Sequence, residues 1–287
     1  MDPAFIIGVI IAFGALMGTI SLEGASLNAL LLPAPMLLVI GSTIGVGIAS
    51  HTMRDSVLAV KSLGRMVRGP KSSPAAVIPI LVDYAERARA DGLLSLEQQV
   101  ETASDDFTRQ ALQALADGTD AEDLRTVMED EMAAVTTRNN VAAKYFSSLG
   151  GYAPTIGIVG TVVSLTHVLE QLDQPDHLGP MIASAFVATL WGLLSANFIW
   201  NPIAGRLNRI AAVELERMTI VTEGMLAIQA GGAPHHVQER LEALVSVSSK
   251  SGSKSGSKSA SSATSDATSA KTGKAKAGAA KAAEDAS

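Results

Sequence analysis

Apolar and polar positions divide the chain into long apolar runs and charged stretches with helical spacing. Four runs are apolar almost throughout: Pro3–Leu22, Ala34–Ser50, Tyr152–Leu172 and Met181–Trp200. Each holds 17 to 21 residues, near the ~20 that a helix needs to cross a ~30 Å hydrocarbon layer. The pattern predicts an all-α, polytopic membrane protein with four transmembrane helices and a helical cytoplasmic domain. The leader "MDP" has no basic residue and no small-residue cleavage site stands out before "SLEGASL", so the first run is expected to be a retained span. "ALLLPAP" at 29–35 is apolar too, which allows the second span an earlier start.

The same pattern sets the organisation. Residues 1–53 form the first pair of spans, and 149–204 the second pair around "DQPDHLGP". Between them, 54–148 is a charged block with helically spaced apolar residues, among them Leu93, Leu96 and Val100, then Leu112, Leu115, Leu124 and Met128. Pro70, Pro74 and Pro79 mark "RGPKSSPAAVIP" as a loop. Residues 205–245 read as an amphipathic helix to about 229, a break at "GGAP" and a second helix. From 246 to 287 the chain is rich in Ser, Lys and Ala, a composition that cannot offset ordering entropy, and disorder is expected.

Charge adds an orientation. All 22 Lys and Arg fall in 54–144 and 206–287, eleven in each, and none in loops 23–33 or 173–180. The basic segments belong in the cytoplasm, which places both termini there and leaves two short external hairpins. The central block, with 15 acidic and 11 basic residues, carries -4 of its own (11 − 15), and the net charge of -6 offers no footprint for nucleic acid. With no cysteine, there is no disulfide framework or thiolate metal site, and no metal or cofactor is expected.

The third and fourth spans are not built like plain anchors. Gly157, Gly160, Thr161 and Ser164 recur at spacings of three and four, as do Ala185, Ala188, Thr189 and Gly192. Small residues on one face let helix backbones approach closely, so Gly157, Gly160 and Gly192 read as helix-packing positions. Thr161 and Thr189 either pack or help to desolvate a cation. His167 lies one turn from the outer end, and Glu170 and Asp173 at the boundary. No carboxylate stands at mid-membrane, so an ion path would need one from another chain. Pro154 and Pro202 sit near the cytoplasmic ends of these spans, as helix boundaries or as hinges. In the central block, "YAERARADGLLSLEQQV" carries Arg87, Arg89 and Glu97. Arg89 and Glu97, about two helical turns apart, are expected on one exposed ridge, as a solvated face or as a partner surface. Sequence signatures of hydrolases, phosphate-binding loops and intramembrane proteases are absent, so an enzyme is not expected.

Four motifs in order resemble the MotA family of flagellar motor stator subunits, within the wider MotA/TolQ/ExbB group. They are "LLVIGSTIGVGIAS", "ARADGLLSLE", "APTIGIVGTV" and "AFVATLWGLLSANFIWNPIAGRL", and the likeness covers about 1–245. The resemblance implies a multi-pass protein of the bacterial inner membrane, a pentamer around two copies of a MotB-type partner whose single membrane helix carries the ion-binding aspartate. Ion flow would then drive torque on the rotor protein FliG. By motif, Arg89 and Glu97 match the rotor-contacting charges, with Arg87 beside them, because Ala90 stands where relatives often have a second basic residue. Pro154 and Pro202 match the torque-linked prolines, and Thr161 and Thr189 the ion-path positions. The resemblance further implies that the small-residue face of "PTIGIVGTVVSL" surrounds the partner helix. Threonine at both 161 and 189 resembles the sodium-driven type, so Na+ is favoured over H+. The alternatives are an ExbB/TolQ-like energising subunit and a non-conducting membrane scaffold.

Overall fold

The computed structural model describes residues 4–24, 30–69, 73–103, 105–173 and 175–246. Helices account for nearly all of them, and no strand occurs among the described residues. In chain order the helices are α1 Ala4–Leu22, α2 Pro33–Ala49, α3 Met53–Arg68, α4 Ile78–Asp91 and α5 Glu97–Val100. They continue as α6 Asp106–Ala116, α7 Ala121–Glu170, α8 Pro175–Leu194 and α9 Asn201–Gln229, with α10 over 234–246. The expected disordered tail, apart from Ser246, lies outside the described residues, as does part of each expected external loop.

Local chemistry explains the boundaries. Thr52 caps α3, its hydroxyl accepting from the Asp55 N–H at 3.1 Å, while Arg65 and Arg68 occupy the last turn. Gly69, at φ 77, then ends the helix in a conformation that side-chain-bearing residues rarely adopt. Asp105 caps α6 in the same way, accepting from the Thr108 N–H at 3.1 Å.

Three expectations are corrected here. The proline-rich loop stops at residue 73, because Pro74 opens a 3₁₀ turn and Pro79 occupies the first turn of α4. Proline is tolerated there, where its missing N–H would have had no helical partner. The helix from 205 is not separate: α8, a π-helical stretch Ser195–Trp200 and α9 form one helical path. The Asn201 N–H bonds to the Ala196 carbonyl five residues back, a wide turn that makes room for the Pro202 ring. The third span is likewise the end of α7, whose 50 residues rise about 75 Å with Pro154 inside.

The chain forms two compact units. The first comprises the described residues within 4–73 and 122–218. Its core packs Ala59 and Met66 of α3 on Ala142, Phe146 and Leu149 of α7 and on Leu207 of α9. Phe146 stacks with Trp200 at 6.4 Å between ring centroids. Among the described residues, three helical paths are long and apolar enough to cross a membrane, Phe5–Leu22, Ala121–Glu170 and Leu178–Gln229, and Pro33–Ala49 is a shorter apolar helix. α1 is apolar all round and mostly exposed, the pattern of a helix that meets an apolar surrounding.

The second unit comprises the described residues within 74–121 and 219–246. Leu81, Leu96, Leu112, Leu115, Val221 and Met225 fill its core. Gly224 leaves room for Leu81, which a Cβ there would meet at 2.7 Å. The Gln229 side chain donates to the Thr119 carbonyl at 2.5 Å, and Arg240 pairs with Glu223 at 2.6 Å to hold α10 on α9.

Candidate functional site

In the first unit the small residues of α7 and α8 form a seam. A Cβ placed on Gly157 would lie 3.1 Å from the Ala188 carbonyl oxygen, 3.2 Å from the Thr189 Cα and 3.3 Å from the Gly192 Cα. One on Gly192 would lie 2.8 Å from the Ala153 carbonyl oxygen. Gly160 meets Ala188 on one side and Leu38 of α2 on the other. Ala153, Ala185, Ala188, Ser195 and Ala196 are all buried along the same line. The backbones are therefore close enough that side chains at these points would force them apart.

This geometry corrects the expectation that the glycine face surrounds a partner helix. The glycines of α7 face α8 of the same chain. What stays uncovered is the adjoining face, where Ile158, Val159, Val162 and Val163 are each more than half exposed. Thr161 sits at the margin between the two faces, half-buried, its hydroxyl donating to the Ile158 carbonyl at 2.6 Å. With its proton so used, the oxygen keeps lone-pair capacity for a cation or a donor. Thr189 is half-buried at the seam, its Cα beside Gly157. His167 and Glu170 are exposed at the end of α7, with 3.4 Å between ring nitrogen and carboxylate.

Pro154 and Pro202 are each half-buried inside continuous helical paths, and their surroundings meet. Pro154 cannot donate to the carbonyl of Gly150, four residues earlier. Gly150 is buried against the side chain of Asn201, the residue before Pro202, and a Cβ at 150 would collide with that side chain. The two interruptions thus share one contact, between Gly150 and the Asn201 side chain.

Sequence reasoning passed over Gly150 and Asn201, and also Thr43, Gly47 and Asn139. Thr43 is fully buried in α2, its hydroxyl donating to the Val39 carbonyl at 2.6 Å, and Gly47 accommodates Leu149. Their spacing of four is a small-residue signal that was there to be read. Asn139 is buried and carries a polar bridge, accepting from Arg65 and donating to Glu214 at 3.2 Å. A lone Asn on a charged helix gives no such signal.

In the second unit Arg87, Arg89 and Glu97 are exposed. The expectation of Arg89 and Glu97 on one helical ridge is corrected. α4 ends at Asp91, Gly92 turns the chain at φ 80, and Leu93–Leu96 form a 3₁₀ turn before Glu97 opens α5. Leu96 is fully buried, and its insertion into the core is what breaks the ridge. Arg87 pairs with Asp83 at 2.9 Å, while Arg89 and Glu97 make no ion pair among the described residues. Tyr84 lies beneath, its phenol pushed above the usual value first by burial and then by Asp83 and Asp105, with Arg87 acting against them.

Apolar helices that run unbroken into charged ones, with a small-residue seam between two of them, define a helical protein of the membrane type. Comparison with known proteins makes this specific. The pattern of the MotA/TolQ/ExbB proton channel family matches residues 99–220, and that of the motility protein A N-terminal region matches 6–91. Motility protein A of Bacillus subtilis is 34% identical over 243 residues, covering 84% of this chain and 90% of that one. The MotAB structure from C. jejuni superposes with a TM-score of 0.82 at 26% identity, over 85% of this chain and 96% of that chain. The flagellar MotAB stator complex of Bacillus subtilis gives 0.77 at 34% identity, over 82% and 93%. The chain belongs to the MotA/TolQ/ExbB proton channel family and, within it, to the motility protein A group of flagellar motor stator subunits.

Proposed function

We propose that this stator subunit crosses the bacterial inner membrane four times with both termini in the cytoplasm. It works with a MotB-type partner, as in the MotAB complexes that it resembles. The observation that carries the reading is the division of α7 into a glycine edge closed on α8 and an apolar face left open, with Thr161 between them. An open apolar face with a threonine at its margin leaves room for another helix, to which the threonine hydroxyl can offer a polar contact. The charge-free stretch 145–169 has no acid of its own, so the partner supplies the ion-binding aspartate. Five copies of the subunit surround the partner, and ions pass beside Thr161 and Thr189. Sodium is favoured over protons because both positions are threonine. Arg87, Arg89 and Glu97, exposed on the second unit, meet the rotor protein FliG. Pro154 and Pro202, linked through Gly150 and Asn201, are where the helices flex as the ion passes.

The test is swimming speed in cells whose stators all contain this subunit and its native partner, with sodium replaced by potassium at fixed pH and ionic strength. Speed should collapse without sodium, and Thr161→Leu should abolish torque in sodium while the complex still assembles. Normal torque from Thr161→Leu would remove the threonine from the ion path. Unchanged speed in potassium would assign the work to protons.

A further inference from the structure

Lys61 and Arg65 of α3 and Arg138 of α7 converge on a cavity of about 190 Å³ in the first unit. Arg65 is engaged by Asn139 and lies 4.0 Å from Glu214. Lys61 and Arg138 have neither a hydrogen bond nor an ion pair among the described residues. Three cations beside one carboxylate leave a local charge of +2 (3 − 1). The rest of the wall is largely apolar, with Leu58, Ala142, Leu207 and Ile210. A small cytosolic anion would use the charge but not that wall. An amphiphile with an anionic head uses both.

Depth along the helices agrees. Arg138 stands seven residues before Tyr145, where the charge-free stretch of α7 begins, or about 10 Å along the axis. Ile210 lies four residues past Arg206, the first charge after the fourth span, or about 6 Å. The headgroup layer on each side of the hydrocarbon is about 5–8 Å thick, so the cavity opens at or just below it. Basic pockets between helices on the cytoplasmic side of a bilayer are where anionic headgroups bind.

We propose that this cavity holds the phosphodiester headgroup of an anionic phospholipid of the inner leaflet. Lys61 and Arg138 contact the phosphate oxygens, and the apolar wall lies along the glycerol and the first acyl carbons. The site rests on the cytoplasmic placement of α3 and α9, and not on the route of the ion or the torque. A bound lipid would tie α3, α7 and α9 together at the point where the spans continue into charged helices.

The test is native mass spectrometry of the detergent-purified complex with its partner, titrated with phosphatidylglycerol or with phosphatidylcholine of the same acyl chains. Phosphatidylglycerol should bind in preference. Lys61→Gln with Arg138→Gln should weaken it about 25-fold, about fivefold for each basic group, and weaken phosphatidylcholine, whose phosphate is offset by its own choline cation, less. Lys61→Gln alone, on an exposed position, should show the fivefold loss and serves if the double variant fails to assemble. Arg54→Gln with Arg68→Gln, which removes charge from α3 outside the cavity, should bind as the wild type does. Equal binding of the two lipids, or no loss in Lys61→Gln, would overturn the proposal. An equal loss in the Arg54/Arg68 variant would reduce it to diffuse surface charge and overturn it too. Displacement by millimolar inorganic phosphate, but not by chloride of equal ionic strength, would give the cavity to a cytosolic anion instead.

Discussion

Gly192→Ala is the most direct probe of the seam between α7 and α8. The added methyl would sit 2.8 Å from the Ala153 carbonyl oxygen and 3.1 Å from the Gly157 Cα. Ordinary contact begins near 3.4 Å, so the carbonyl is about 0.6 Å too close (3.4 − 2.8). Both atoms belong to the α7 backbone, and no rotamer change can relieve them. The helices must part, and the contacts of Gly157 with Ala188 and Thr189 loosen with them. Overpacking of this kind costs about 1–3 kcal/mol. Replacing a helical glycine by alanine returns at most about 1 kcal/mol. With the full return counted, the net expectation is a loss of up to about 2 kcal/mol. Gly64→Ala makes the same chemical change on α3 where nothing lies within 4 Å, and should gain up to about 1 kcal/mol from helix propensity alone. Thermal inactivation midpoints of the detergent-purified complex, followed by retention of its assembled size, should move down for Gly192→Ala and not for Gly64→Ala. If both variants match or exceed the wild type, the seam is not as tight as its geometry states, and the argument from backbone approach fails.

Two further outcomes follow from buried polar groups. Asn139→Ala leaves Arg65 and Glu214 without the side chain that joins them, and should cost about 1–3 kcal/mol in the same assay. The direct Arg65–Glu214 contact, at 4.0 Å and about a third or more exposed, is too screened to compensate, so an unchanged midpoint would refute the bridge. Tyr84 governs an alkaline effect. Its phenol is raised above the ordinary value of 10.0 by burial and nearby carboxylates, so the fold favours the protonated form. That contribution is complete below the unfolded pKa and is lost as pH rises through the folded one. Tyr84→Phe should flatten the decline in stability above about pH 10, and an identical decline in the variant would assign it to other groups.

The prolines show what a linear reading can and cannot hold. Apolar run length and charge distribution were enough to find the apolar helices, because run length and the cost of burying charge are properties of a segment by itself. Glycine spacing marked Gly157, Gly160 and Gly192 for the same reason, since positions three and four apart share a helical face whatever that face meets. The spacing did not name the partner: the seam closes within the chain, and the open face is its neighbour. Pro154 and Pro202 were legible as interruptions, yet nothing local says that Gly150 and Asn201 bring them together across two helices.

The charged residues show the same division. Arg87, Arg89 and Glu97 were found by composition, but the ridge drawn through Arg89 and Glu97 assumed an unbroken helix. Burial of Leu96 decided otherwise, because a fully buried leucine outweighs the small preference of four residues for one helical form over another. Asn139 and the cation-lined cavity beside it come from three helices distant in sequence. Periodicity fixes which side of a helix a residue takes, and only the packing of helices decides what stands opposite.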